Sequence, residues 1–124
     1  KEFDQISCIK QEFSTLWNTL LETGELNGND YNLRLILGDA RRTINSFDTQ
    51  VDCWFLDGFS PAKNPELWEE KLMEEVFRCT ASQGTLSTYS AAGIVRKNLN
   101  LAGFKVDRIN GFGRKRHMTI AVKK

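Results

Sequence analysis

The side chains best suited to chemistry gather in one stretch, VDCWFLDGFSPAKNP from Val51 to Pro65, where an apolar run ends in an acid, Asp57. A carboxylate at the end of a buried strand often does no more than cap the next turn by bonding backbone amides, about as often as it takes part in chemistry. Its neighbours favour chemistry here. Phe59 offers an aromatic face and Lys63 a cation, while Pro61 and Pro65 stiffen the loop, a combination suited to holding a planar polar ring beside a carboxylate. Two other places qualify less clearly. Asp39, after LILG, reads first as a helix N-cap. GFGRKR, residues 111–116, sets Arg114, Lys115 and Arg116 beside Phe112; such a turn is more often a solvated hairpin than an anion site, yet it is the densest positive cluster in the chain and would suit RNA phosphates. Arg96 and Lys97 add to it if their helix faces the same way.

These groups need a frame. The run Val51, Cys53, Trp54, Phe55, Leu56 lacks alternation and reads as a strand covered on both faces, as in parallel sheets flanked by helices. Ligands in such sheets bind beyond the carboxyl ends of the strands, where Asp57 would lie. A helix is expected after it, with Asn64 as cap, Pro65 at the first helical position, Glu66 in the first turn, Leu67, Trp68, Leu72, Val76 and Phe77 on its buried face, and Gly84 closing it. Upstream, residues 5–23 carry a helical apolar stripe ended by Gly24, residues 24–32 read as a loop, and Leu33 to Leu37 as a strand before a brief helix from Asp39 to Phe47. Residues 85–89 form a third strand, and Ser90 is the expected cap of a helix ended by Gly103. Repeated strand-to-helix units argue for an α/β parallel sheet. Phe104 to Asn110 and Met118 to Val122 are strands too close in sequence for a helical crossover, so they must pair antiparallel.

Composition excludes little and specifies less. Seventeen Lys and Arg against sixteen Asp and Glu leave a net charge of +1, so only local clusters speak of partners. The 124 residues, 40% hydrophobic, fit one domain with a modest core. Three cysteines without metal-ligand spacing favour reduced thiols in a soluble cytoplasmic protein. No apolar run nears the roughly 18 residues of a membrane span. His117, the single histidine, and Trp17, Trp54 and Trp68 read as structural. No nucleophilic triad, zinc site or NTPase phosphate loop is visible, and no metal is expected.

LDGFSPAKNPELW, then GTLSTYSAAGIVRKNLNLAGF, then GFGRKRHM together resemble the methyltransferase domain of the bacterial bifunctional protein that completes 5-methylaminomethyl-2-thiouridine at the tRNA wobble position. The resemblance is firm from Val51 to Val122 and looser over Leu33 to Phe47, where LILGDA is similar to the family's strand-then-acid motif. It implies the Rossmann-like sheet of class I S-adenosylmethionine-dependent methyltransferases, mostly parallel and ending in an antiparallel hairpin. It implies that Asp39, with Ala40 beside it, meets the adenine of the cofactor, and that Asp57 and Gly58 stand between methyl donor and acceptor amine. Phe59 would stack on uridine or adenine. Pro61, Lys63, Asn64, Arg114, Lys115 and Arg116 would meet the anticodon arm of tRNA. An FAD-dependent oxidase domain, fused or separate, is a further partner that the resemblance raises and leaves open.

The family's glycine-rich turn after its first strand and the ribose-binding acid after its second have no counterpart here, unless Glu2 or a residue just before Lys1 is a remnant of the latter. The chain is therefore expected to be the C-terminal portion of a single methyltransferase domain, its N-terminal cofactor-binding half missing, and inactive alone. Three functional readings follow: a tRNA N-methyltransferase, a methyltransferase for another amine, or a non-catalytic RNA-binding or interaction module that lost its cofactor half.

Overall fold

The structure, a computed structural model, describes residues 14–113 and 115–124. It divides into two compact units, Lys1–Gly38 and Asp39–Lys124.

In the first unit helix α1 is described over residues 14–23. Gly24 ends it as expected: at φ +77° its N–H donates back to the Leu20 carbonyl at 2.8 Å, the left-handed termination that glycine adopts at least cost. The expected loop after it is instead a short antiparallel hairpin, β1 (Glu25–Asn27) paired with β2 (Asn32–Arg34), with Leu26 opposite Leu33. The turn closes by the Gly28 N–H donating to the Tyr31 carbonyl. So the strand expected over Leu33 to Leu37 is shorter, begins earlier and pairs with β1 rather than in a parallel sheet. Residues 35–37 carry no strand, and Leu37 is 71% exposed. A contiguous apolar run signals burial but not which partner strand supplies it, and turn residues such as Asn29 and Asp30 make a hairpin as readily as a loop. Residues 1–13, with Glu2 and most of the expected first helical stripe, lie outside the described residues.

The second unit carries the main sheet. Asp39 begins α2 (Ala40–Thr43), which tightens into a 3-10 turn, Ile44–Ser46. β3 (Val51–Phe55) follows, then a 3-10 turn over Pro65–Trp68, α3 (Glu70–Cys79), β4 (Thr80–Thr88), α4 (Gly93–Ala102), β5 (Lys105–Asn110) and β6 (His117–Val122). The four strands lie in the order β3-β4-β6-β5, with β3 parallel to β4 and both pairs that include β6 antiparallel. This is a mixed α/β sheet closing in the expected hairpin; among its described strands one parallel pair stands against two antiparallel pairs, so it is not mostly parallel as expected.

Three local expectations fail. The helix after the Asp57 loop is split at Glu69, because Pro65–Trp68 takes the tighter 3-10 form, and the Asn64 amide faces the Glu66 carboxylate at 2.7 Å instead of capping backbone amides. Gly84 does not end that helix. α3 stops at Cys79, and the Thr80 hydroxyl donates to the Val76 carbonyl at 2.6 Å; Gly84 lies within β4, at an irregular stretch where a Cβ would stand 3.0 Å from the Val51 carbonyl. Ser90 does not cap α4, which has Ala92 at its N-cap; the Gly103 ending holds, at φ +111°.

α3 and α4 cover one face of this sheet. Trp68, Leu72, Met73, Val76, Leu86, Val95, Leu99, Phe104 and Ala121 form its core, with Trp54, Leu56 and Val106 packed against them. The other face is open among the described residues: Cys53 is exposed and Phe55 is 81% exposed. β3 is thus covered on one face, not on the two that its unbroken apolar run led one to expect. Cys79 is buried and, like Cys53, unpaired.

Candidate active site at the ends of β3 and β4

The parallel pair β3 and β4 continues one residue past β3, with the Leu56 N–H donating to the Ser87 carbonyl at 2.9 Å. The chain then leaves the sheet at Asp57. Two clefts meet there. One, about 200 Å³, lies on the helix side and is lined by Ala40, Ile44, Leu56, Asp57, Gly58 and Leu67 with core side chains below. The other, about 230 Å³, is lined by Phe55, Leu56, Asp57, Ser87, Thr88, Tyr89 and Met118. Asp57 borders both, is exposed, and makes no hydrogen bond or ion pair among the described residues. It is not spent on its own backbone.

The loop it starts is held at two successive carbonyls. Tyr89, just past the end of β4, donates its hydroxyl to the Gly58 carbonyl at 2.6 Å, and the Trp68 indole N–H donates to the Phe59 carbonyl at 2.8 Å. Trp68 is itself buried, and its carbonyl accepts from the Asn98 amide at 2.7 Å. A side chain at Gly58 would put its Cβ 3.3 Å from the Trp68 ring, so glycine lets the loop lie close on the indole. Further on, the Lys63 and Asn64 N–H groups both donate to the Ser60 carbonyl, closing the turn after Phe59.

Asp39 sits differently. It caps α2 by accepting from the Arg41 N–H at 3.0 Å, and its carboxylate accepts again from the Arg41 guanidinium at 2.6–3.1 Å. That side-chain bond, then the backbone one, holds its carboxyl down to about 2. The segment is tied to α3 by Arg78, whose guanidinium donates to the Ile44 and Phe47 carbonyls, both at 3.1 Å.

The sequence-predicted residues therefore separate. Asp57, Gly58 and Ala40 meet at the first cleft; Asp39 adjoins it through the cap. Phe59 is 74% exposed and borders neither cleft. Pro61 lines a separate groove with Pro65, Trp68, Glu69, Ile94 and Lys97, and Asn64 is half-buried against Glu66. Lys63, Lys115 and Arg116 are exposed; Arg114 lies outside the described residues. In the β5–β6 turn the Gly111 N–H donates to the Arg116 carbonyl, and a Cβ at Gly111 would stand 2.4 Å from the Lys115 carbonyl oxygen. Arg96 is half-buried, its Nε screened from solvent with no acceptor among the described residues. Two residues escaped the sequence reading: Trp68, assigned to packing alone, and Tyr89, taken as a strand end. Only their position next to the loop reveals their bonds to it. Among the described residues no group of three His, Cys, Asp or Glu side chains could hold a metal, and no helix is long and apolar enough to cross a membrane.

The tRNA 5-methylaminomethyl-2-thiouridine biosynthesis bifunctional protein MnmC of Ectopseudomonas mendocina (strain ymp) is 47% identical over 93 residues, 75% of this chain and 14% of that protein. MnmC of Marinomonas sp. (strain MWYL1) is 45% identical over 96 residues, 77% of this chain and 14% of its own length. The chain thus spans about a seventh of these relatives, 14%. The crystal structure of MNMC2 from Aquifex aeolicus superimposes with a TM-score of 0.72 at 39% identity, covering 84% of this chain and 35% of that one. Its likeness agrees with the class I sheet that the strand order shows. The model of a family described as S-adenosyl-L-methionine-dependent methyltransferase matches residues 2–124, and to that family the chain belongs.

Proposed function

We propose that this chain is the C-terminal portion of a methyltransferase domain that methylates the aminomethyl group of the tRNA wobble uridine, 5-aminomethyl-2-thiouridine becoming 5-methylaminomethyl-2-thiouridine. The observation that carries this reading is Asp57, an unpaired carboxylate at the junction of two clefts. The first cleft fits the family's cofactor: Ile44, Leu56 and Leu67 give apolar walls for a flat ring, and a carboxylate stands at its mouth for a cationic sulfonium. S-adenosylmethionine supplies an electrophilic methyl group when bound.

The residues of this chain do the rest by placement. Asp39 and Ala40 would bind the adenine end; Asp57 and Gly58 border the reacting end. A primary amine is mostly protonated at neutral pH, so Asp57 would accept its N–H bonds, orient it and favour loss of the proton that frees the lone pair. In-line transfer then depends on alignment within a few tenths of an ångström, which a loop fixed at two carbonyls provides. Phe59 would stack on the uridine from the exposed side. Pro61, Lys63, Asn64, Lys115 and Arg116 would meet the anticodon arm, the cations through phosphates.

The protein would act in the cytoplasm, with an FAD-dependent oxidase domain, fused or separate, as a partner; the names of the relatives call them bifunctional. The 124 residues by themselves would be inactive. The deciding assay offers the full-length protein labelled S-adenosylmethionine with tRNA carrying the aminomethyl group and, separately, a free aminomethyluridine. Label entering tRNA alone, with an affinity that falls steeply as salt rises, supports the reading. Equal transfer to the free nucleoside would replace it with a small-amine methyltransferase, and no transfer to either would overturn it.

A further inference from the structure

Tyr89 joins two regions that the proposed function treats separately. Its hydroxyl donates at 2.6 Å to the carbonyl of Gly58, the residue after Asp57, and Tyr89 borders the same cleft as Asp57. Against that ring stands the Lys115 ammonium, 5.1 Å from the centroid. Lys115 belongs to the basic β5–β6 turn, whose backbone is closed by Gly111 and Arg116. A cation attracted to an aromatic face and a phenol bonded to a carbonyl are each modest contacts. In series they link the turn to the acid.

We infer that Tyr89 is a positioning residue that sets the Asp57 carboxylate through Gly58, and that the Lys115–Tyr89 contact makes this placement respond to the seating of RNA on the β5–β6 turn. The inference rests on the tRNA methyltransferase reading above. Seating a phosphate on Lys115 changes how the ammonium lies against the ring, and a ring that shifts carries its hydroxyl with it. The Gly58–Phe59 peptide, one residue beyond Asp57, must follow or lose its bond. Misplacement of a reacting group by about 1 Å costs up to about a hundredfold in rate, so a contact this small acts on turnover rather than on folding.

The test is made in the full-length protein with S-adenosylmethionine and aminomethyl-bearing tRNA. Tyr89→Phe keeps the ring and removes the hydroxyl. It is expected to lower kcat about tenfold while the KM for tRNA, the Kd for S-adenosylmethionine and the Tm stay close to those of the parent. Lys115→Gln should raise the KM for tRNA and also lower kcat roughly threefold. Lys115→Arg should restore kcat, because a guanidinium also stacks on tyrosine. A parent-like kcat in Tyr89→Phe overturns the inference, as does a joint fall of kcat, cofactor affinity and Tm, the mark of a merely structural side chain. If Lys115→Gln changes KM alone, the lysine is only a phosphate contact and the link is lost. A parent protein that transfers no methyl to the tRNA overturns the functional reading itself, a result that no variant is needed to see.

Discussion

Two acids in this chain follow apolar runs and precede helical turns, Asp39 after LILG and Asp57 after WFL, and the structure uses them in opposite ways. The Asp39 carboxylate accepts bonds from the Arg41 guanidinium and from the backbone N–H that it caps. Asp57 accepts none among the described residues, although its loop is held at two successive carbonyls. The difference lies in what does the holding. At Asp39 the acid itself secures the helix start, whereas at Asp57 Tyr89 and Trp68 secure the backbone and leave the carboxylate uncommitted. A side chain is available for chemistry when others perform its structural duty.

The sharpest way to break this contrast is to neutralise each acid in the full-length protein. Asp57→Asn keeps the shape and loses the charge; methyl transfer should fall roughly 10²- to 10⁴-fold with cofactor affinity nearly unchanged, the range expected for a positioned acid–base group. Near-normal turnover would remove Asp57 from the mechanism. Asp39→Asn should do the reverse, weakening S-adenosylmethionine about tenfold in a binding titration with a smaller change in kcat. An equal loss of kcat in both variants would erase the distinction drawn here.

Next in size is the platform beneath the Asp57 loop. Asn98→Ala strips the buried Trp68 carbonyl of its donor and should cost about 1–3 kcal/mol in denaturant unfolding; no loss would mean that the carbonyl finds another donor. The smallest effect concerns acid pH. The Asp39 carboxyl is lowered to about 2 from its ordinary 3.8, so its contribution to stability is present above about pH 4 and disappears as pH falls towards 2. Asp39→Asn should flatten unfolding midpoints across that window, and an unaltered profile would show that the Arg41 contact contributes nothing in solution.

Much of the second unit was legible from residues alone. The apolar run ending at Asp57 as a strand, the glycine ending α4 and the close spacing of the last two strands each express a local rule, and each held, although among the described residues the run is covered on one face and not on two. The failures share a cause. Thr80 closes α3 through its own hydroxyl, so β4 starts five residues before the strand expected over 85–89. Gly84, which reads as a helix stop, instead lets β3 come close. Pattern identifies the kind of element but not the individual contact that ends it. The site divides in the same way. Asp57 and Gly58 stand out by type and order, whereas the bonds from Tyr89 and Trp68 to the loop are made 31 and 9 residues away, with no sequence signal beyond the capacity of a phenol and an indole to donate.

β3 is hydrogen-bonded to β4 and, among the described residues, to no strand on its other side. Its outer row of amides and carbonyls is a template for any extended segment of matching length, and Phe55 and Cys53 present a greasy surface beside it. Handled by themselves, these 124 residues should self-associate with rising concentration through that margin. A sedimentation boundary that broadens with loading would report association through that edge.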